Sequence, residues 1–113
     1  MAMPQRLSAI SSPRRALVRL CQRIGYGEIQ ELHIRDGEPF FSPQPIVVQD
    51  IKLDQDGGGR PESELDDFAL SEEVSRLLRQ LDEIGSGYID RIVVAAGIPR
   101  RVVIRRPLME APR

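Results

Sequence analysis

Apolar residues at Leu17, Leu20, Cys21 and Ile24 recur at three- and four-residue spacing, which predicts one buried helix face. Arg14, Arg15, Arg19 and Arg23 fall mostly on the other faces. Ser12-Pro13 opens this helix. A serine oxygen can accept from a free N–H of the first turn, and a proline there sacrifices no helical hydrogen bond. Gly25 closes it, since glycine enters the left-handed region without a Cβ clash. The period then changes from 3.6 to 2. Leu32 and Ile34 alternate with Glu31, His33 and Arg35, which predicts a strand over Glu28–Arg35. Asp36-Gly37 predicts a tight hairpin turn. The return strand meets Pro39, Pro43 and Pro45, which cannot donate to a ladder. It is expected to resume over Ile46–Leu53 as an edge or bulged strand.

The scheme then returns. Ser71 is a candidate N-cap, and Glu72 and Glu73 suit the positive end of a helix dipole. Val74, Leu77, Leu78, Leu81 and Ile84 form the second apolar stripe, and Gly85 ends it. Ile89–Ala95 reads as a strand, Ala96-Gly97 as its turn and Arg101–Arg106 as the return strand, stopped by Pro107. At an offset of 60 residues, Leu17, Arg19, Ile24, Gly25, Gly27 and Ile29 fall without a gap on Leu77, Arg79, Ile84, Gly85, Gly87 and Ile89. Ser11, Gly37 and Pro39 likewise fall on Ser71, Gly97 and Pro99.

The pattern predicts an α+β fold, a tandem αββ repeat of residues 11–53 and 71–107. One such unit is too small to bury its own apolar face. Two should share a four-stranded antiparallel sheet with both helices on one face, in one compact domain. Residues 54–70 form an acidic Gly/Pro linker, of which DQDGGGRPESELDD shows no core periodicity. Phe68-Ala69-Leu70, at its end, is expected to dock on the core. Residues 1–10 are expected to be a mobile tail and residues 108–113 a second tail.

Charge changes this picture more than composition does. The chain carries a net charge of −1 with 29% charged residues, ordinary for a globular protein. Its distribution is uneven. Residues 1–37 hold six arginines against three acids, residues 38–90 four basic residues against thirteen acids, and residues 91–113 six arginines against one acid. The ends are basic and the middle acidic. A single cysteine, Cys21, permits no intrachain disulfide and sits on the apolar helix stripe. That suits a reducing cytoplasm. No segment reads as a signal-peptide core, and no apolar run approaches the ~20 residues of a spanning helix.

Candidate chemistry is sparse. Gly25-Tyr26-Gly27 and Gly85-Ser86-Gly87 follow a helix and precede a strand, the reverse of a dinucleotide fingerprint, and read as caps. Asp54-Gln55-Asp56-Gly57 fails as a calcium loop, because Lys52 and Ser63 occupy its first and twelfth positions. His33 is the only histidine and should point away from Cys21, so neither a triad nor a metal site forms around it. The sequence offers no catalytic, cofactor-binding or metal-ligating set, and no cofactor is expected. The feature least explained by folding is PRRVVIRRP, Pro99–Pro107. Val102 and Ile104 share one strand face, and Arg101 and Arg105 the other. Arg100, Arg101, Arg105 and Arg106 make a candidate surface for an anion or an acidic partner, which Arg14, Arg15 and Arg19 would extend. Edge protection by charge is the competing explanation. The aromatic pattern of an RNA-binding sheet is missing from the strands.

The stretch IGYGEIQELHIRDGEP, residues 24–39, resembles a group of short bacterial proteins of unknown function that carry a helix, a YG-x-hydrophobic strand and a DG turn. Tyr26, Gly27, Ile29, Leu32, Ile34, Asp36 and Gly37 carry the likeness. The second unit departs from it, with Ser86 for the tyrosine and Ala96 for the aspartate. The resemblance implies the αββ unit and a bacterial source, and it brings no activity. The function expected is a small non-enzymatic binding, adaptor or regulatory module. Its partner would be a protein or a second copy, met through the arginine strand or the proline-rich edge Phe40–Pro45. The alternative is nucleic-acid binding through the arginine-rich ends.

Overall fold

The two apolar stripes become helices α1 (Ser12–Ile24) and α2 (Glu72–Ile84) in a computed structural model that describes residues 5–54, 65 and 67–105. The first cap is Ser11, one residue earlier than predicted. Its Oγ accepts from the Arg14 N–H at 3.3 Å, as the Ser71 Oγ accepts from the Val74 N–H at 3.2 Å. A capping hydroxyl reaches the third helical N–H, so the cap belongs three residues before Arg14 and Ser12 is already helical. Both helices stop at the predicted glycines, Gly25 and Gly85.

The strands are β1 (Gly27–Arg35), β2 (Glu38–Phe40), β3 (Ile46–Gln49), β4 (Gly87–Ala95) and β5 (Ile98–Val103). They form one open antiparallel sheet in the order β2-β1-β4-β5, with β3 also paired to β1. Five strands replace the expected four because the proline-rich stretch 41–45 splits the return strand. β2 lies along the C-terminal half of β1, and β3 along its N-terminal half. At the centre β1 pairs with β4, placing Ile29 opposite Ile92 and Leu32 opposite Ile89. Both helices pack on the face that carries these residues with Ile34 and Val94. Leu17, Cys21, Leu81, Ile29, Leu32, Ile89 and Ile92 are fully buried. Each leucine or isoleucine among them contributes about 1.5–3 kcal/mol relative to exposure.

The halves are tied crosswise at their turns. The Gly37 N–H donates to the Gly85 carbonyl at 2.8 Å, and the Gly97 N–H donates to the Gly25 carbonyl at 2.8 Å. The glycine that caps each helix therefore bonds the turn of the other hairpin, while the Cys21 and Leu81 carbonyls accept from the N–H of Gly25 and Gly85 within their own segments. The surroundings of the two turns differ. Arg14 Nη2 bonds the Gly37 carbonyl at 2.8 Å and Asp82 Oδ1 at 2.5 Å, while Glu38 accepts from the Ser11 Oγ at 2.5 Å. At the same offset of 60, Val74, Gln22 and Ile98 stand where Arg14, Asp82 and Glu38 would. A polar clamp at one turn is thus replaced by a mainly apolar contact at the other.

The first residues do not all behave as the expected mobile tail. Leu7 and Ile10 are buried, and Leu7–Ala9 forms a 3-10 turn. The Leu7 N–H bonds the Phe68 carbonyl at 2.9 Å, and the Leu70 N–H bonds the Gln5 carbonyl at 2.8 Å. Phe68-Ala69-Leu70 docks as expected, and residues 5–10 are what it docks with. Asp67 holds this join, accepting from Arg6 Nε and the Ser8 N–H at 2.8 Å each. The Arg6 hydrogen bond, followed by that of Ser8, lowers the Asp67 carboxyl to about 2. Leu7 and Ile10 were the available signal. A 3-10 turn of three residues is too short to display a periodicity. The second tail and most of the linker lie outside the described residues.

Both turn dipeptides have two positive φ angles, 52° and 74° at Asp36-Gly37 and 54° and 74° at Ala96-Gly97. Two left-handed residues suit Asn or Asp followed by Gly, whereas alanine's Cβ opposes that conformation. Replacing Ala96→Asn is therefore expected to stabilise the protein by about 0.5–1 kcal/mol. A rise in the urea midpoint at unchanged m-value reports it, and a fall would mean that the methyl group is needed in packing.

Candidate binding surfaces

The helices leave the opposite sheet face open, and among the described residues none that belongs to that face is buried. Register assembles its side chains into rows. His33 lies opposite Phe40 on one side and Tyr88 on the other, so β2, β1 and β4 present an aromatic row. The His33 and Tyr88 rings stack with centroids 5.9 Å apart at 28°. A guanidinium stands at each end. Arg35 lies 4.5 Å above the Phe40 ring, and Arg105 lies 5.9 Å from the Tyr88 ring while bonding Asp90 Oδ1 at 2.9 Å. Further along, Arg91 faces Gln30 and Val103, and Arg101 faces Val93. The face carries Arg35, Arg91, Arg101 and Arg105 against Glu28, Glu31 and Asp90, a slight excess of positive charge beside aromatic surface.

The seven predicted arginines do not form one patch. Arg101 and Arg105 reach the open face, as the strand alternation predicts, because Val102 and Ile104 pack inward. Arg100 does not join them. A register shift opposite Val93/Val94 makes Arg100 the extra residue, and its Nη1 turns toward α2 to bond Glu73 at 2.9 Å. Arg14 is the clamp residue at the first turn. Arg15 bonds the Ile10 carbonyl at 2.6 Å. Arg19 lies over the Phe68 ring at 5.3 Å, bonds Gln22 at 3.1 Å and also reaches the Leu65 carbonyl. These three serve the helix layer, on the far side of the sheet from Arg101. Arg106 lies outside the described residues.

The two sheet edges differ. Along β5, an open groove of about 640 Å³ lies between the strand and α2, lined by Leu77, Val102 and Ile104 and by charged residues of both signs, Arg76, Arg79, Arg100 and Arg101 with Glu73 and Glu83. Charge guards this edge. The β3 edge has no such guard. Ile46, Val47 and Val48 are 48%, 45% and 44% exposed, and Ile51 and Leu53 continue the apolar run beyond the strand. The Asp50 N–H bonds inward to the Tyr26 carbonyl at 2.7 Å. By the two-residue alternation of a strand, Val48 also faces β1, while Val47 and Gln49 turn their N–H and C=O outward.

Cys21 is buried, and burial pushes its thiol up to about 12, so it is inert at neutral pH. Among the described residues no cluster of His, Cys, Asp or Glu could hold a metal ion, and no helix is long and apolar enough to cross a membrane. Comparison with protein-family models, curated protein sequences and solved structures finds no match. The fold and surfaces therefore define the class of the molecule by themselves: an α+β protein with two helices on one face of an open antiparallel sheet.

The aromatic row was not legible in any one segment. Phe40 opposite His33 follows from the Asp36-Gly37 turn, since a two-residue hairpin fixes the register of the strands it joins. Tyr88 joins the row only through β1–β4 pairing, between residues more than fifty positions apart.

Proposed function

We propose that this protein is a non-enzymatic binding module whose docking element is the edge strand β3, and that the partner it pairs with is a second copy of the same chain. The observation that carries this reading is the unguarded apolar edge Ile46-Val47-Val48, in a molecule whose other edge is guarded by charged residues. An exposed apolar edge strand is a template for another strand, and proteins that do not use one blunt it. The strand is also self-complementary. An antiparallel two-fold pairing needs the outward-facing Val47 and Gln49 opposite each other, which centres the axis on Val48. No charges are then opposed, because Asp50 meets Ile46 of the second copy. The bacterial, cytoplasmic adaptor expected from the sequence fits such a scaffold, and the described side chains offer no nucleophile–base pair that would suggest catalysis.

Sedimentation equilibrium tests the reading. The wild-type chain should sediment as a dimer. Val47→Pro removes an outward N–H without touching the β1 ladder and should leave a folded monomer. Val48→Cys should form a disulfide-linked dimer on mild oxidation, since Cys21 is too buried to compete. A monomeric wild type, or a Val47→Pro variant that still dimerises, would rule the pairing out.

A further inference from the structure

The open face is separate from the β3 rim, and its features are not those that strand pairing uses. We infer that it binds single-stranded nucleic acid, with bases stacked on the Phe40–His33–Tyr88 row and phosphates held by Arg35, Arg101 and Arg105. Three aromatic rings lie in one row across β2, β1 and β4 on a face that no described element covers. Nothing in the core requires them there. Rings placed in a row on a sheet surface offer successive bases a stacking platform that any base can use. Each end of the row carries a guanidinium at a ring, Arg35 at Phe40 and Arg105 at Tyr88. The Arg35 guanidinium lies over the Phe40 ring, so a base that stacks there displaces it toward the phosphate of the same nucleotide. Arg101 lies further along the same face, opposite Val93, and extends the positive track.

The chemistry favours single strands over duplexes. In a duplex the base faces are stacked on one another, so an aromatic row has nothing to meet until bases are splayed out. A broad face with half-buried rings also lacks a protruding helix or ribbon to enter a major groove. An acidic peptide would satisfy the arginines and leave the rings unused.

Fluorescence anisotropy of end-labelled 15-nucleotide RNA and DNA single strands, the matching duplex, and competition by inorganic polyphosphate test the inference. Single strands should bind, with log affinity falling linearly against log salt at a slope of about −2 for three phosphate contacts. The duplex should bind at least about tenfold more weakly. Phe40→Ala should weaken single-strand binding about tenfold and leave the salt slope unchanged. Arg101→Gln should reduce the slope by about 0.7. Should Phe40→Ala fold poorly by circular dichroism, Phe40→Leu keeps the apolar bulk, removes the ring and should show the same loss. No binding at low salt, equal binding of duplex and single strand, or full displacement by polyphosphate with no effect of either Phe40 variant would each overturn the proposal. The last outcome would leave an anion site open to acidic peptides. Val47→Pro separates this test from the dimer, since a monomer should still bind one strand per chain.

Discussion

Gly27→Ala should lower stability by about 2–3 kcal/mol and release strand β3 from the sheet. A Cβ at Gly27 would stand 2.0 Å from the Val48 carbonyl oxygen and 2.9 Å from its carbon, and Gly27 has a φ of 155°. Both obstacles are backbone, so no rotamer change relieves them, and the strand must move instead. Gly87, which opens β4 as Gly27 opens β1, supplies a control. A Cβ at Gly87 meets only Ile84 Cγ2, at 3.5 Å, an ordinary contact. Gly87→Ala should therefore change stability by less than about 0.5 kcal/mol. Thermal melts compare the two, with a drop of about 10 °C expected for Gly27→Ala. Hydrogen exchange should show lost protection confined to residues 46–50. The variant should also fail to dimerise, since the edge that pairs is the strand it displaces. Equal melting temperatures for the two variants would mean that β3 does not approach β1 as described.

The second large effect lies at the centre of the sheet. Ile29 and Ile92 are fully buried register partners on adjacent strands. Ile92→Ala should cost about 2–5 kcal/mol, the lost transfer free energy plus the cavity left under the helices. Total stabilities of single domains are about 5–15 kcal/mol, so this one change approaches the limit of what the protein tolerates. Ile29→Ala should cost about as much, because the central pairing places both side chains in the same layer. The two residues are in contact range, and the double variant should depart from additivity by at least about 0.5 kcal/mol. Urea denaturation of the two single variants and the double variant measures all three values. A cost below 1 kcal/mol for either single change, at unchanged m-value, would contradict the central pairing.

Both experiments act through the sheet, and both candidate surfaces depend on it. The β3 rim exists because Gly27 lets that strand approach β1. The aromatic row exists because β1 and β4 pair in one register. Slipping that register by one residue would send Tyr88 to the helix side and Ile89 to the open side. The core and the surfaces are consequently specified together.

Much of this fold is legible in the chain because it is set by local chemistry. The stripes Leu17–Ile24 and Val74–Ile84 form helices that end at Gly25 and Gly85, since periodicity and capping act within one or two turns. The two tight turns lie where Asp36-Gly37 and Ala96-Gly97 predict them, and Cys21 is the core residue its position implies. The burial of residues 5–10 depends on residues 67–70, a join that no local pattern announces.

The arginines show the same division. Strand alternation was enough to place Arg101 and Arg105 on the face opposite Val102. It could not foresee the bulge that turns Arg100 toward Glu73, or the clamp that draws Arg14 to Asp82 and Gly37. The sequence determined the two helices, the central strands and the two tight turns, because those depend on neighbours a few residues away, whereas the return strand expected over Arg101–Arg106 runs Ile98–Val103. Only the tertiary structure decided which side chains meet across the sheet, because Tyr88 joins His33 and Phe40 through strand pairing between distant segments. That pairing is fixed by burying Ile29, Leu32, Ile89 and Ile92 together.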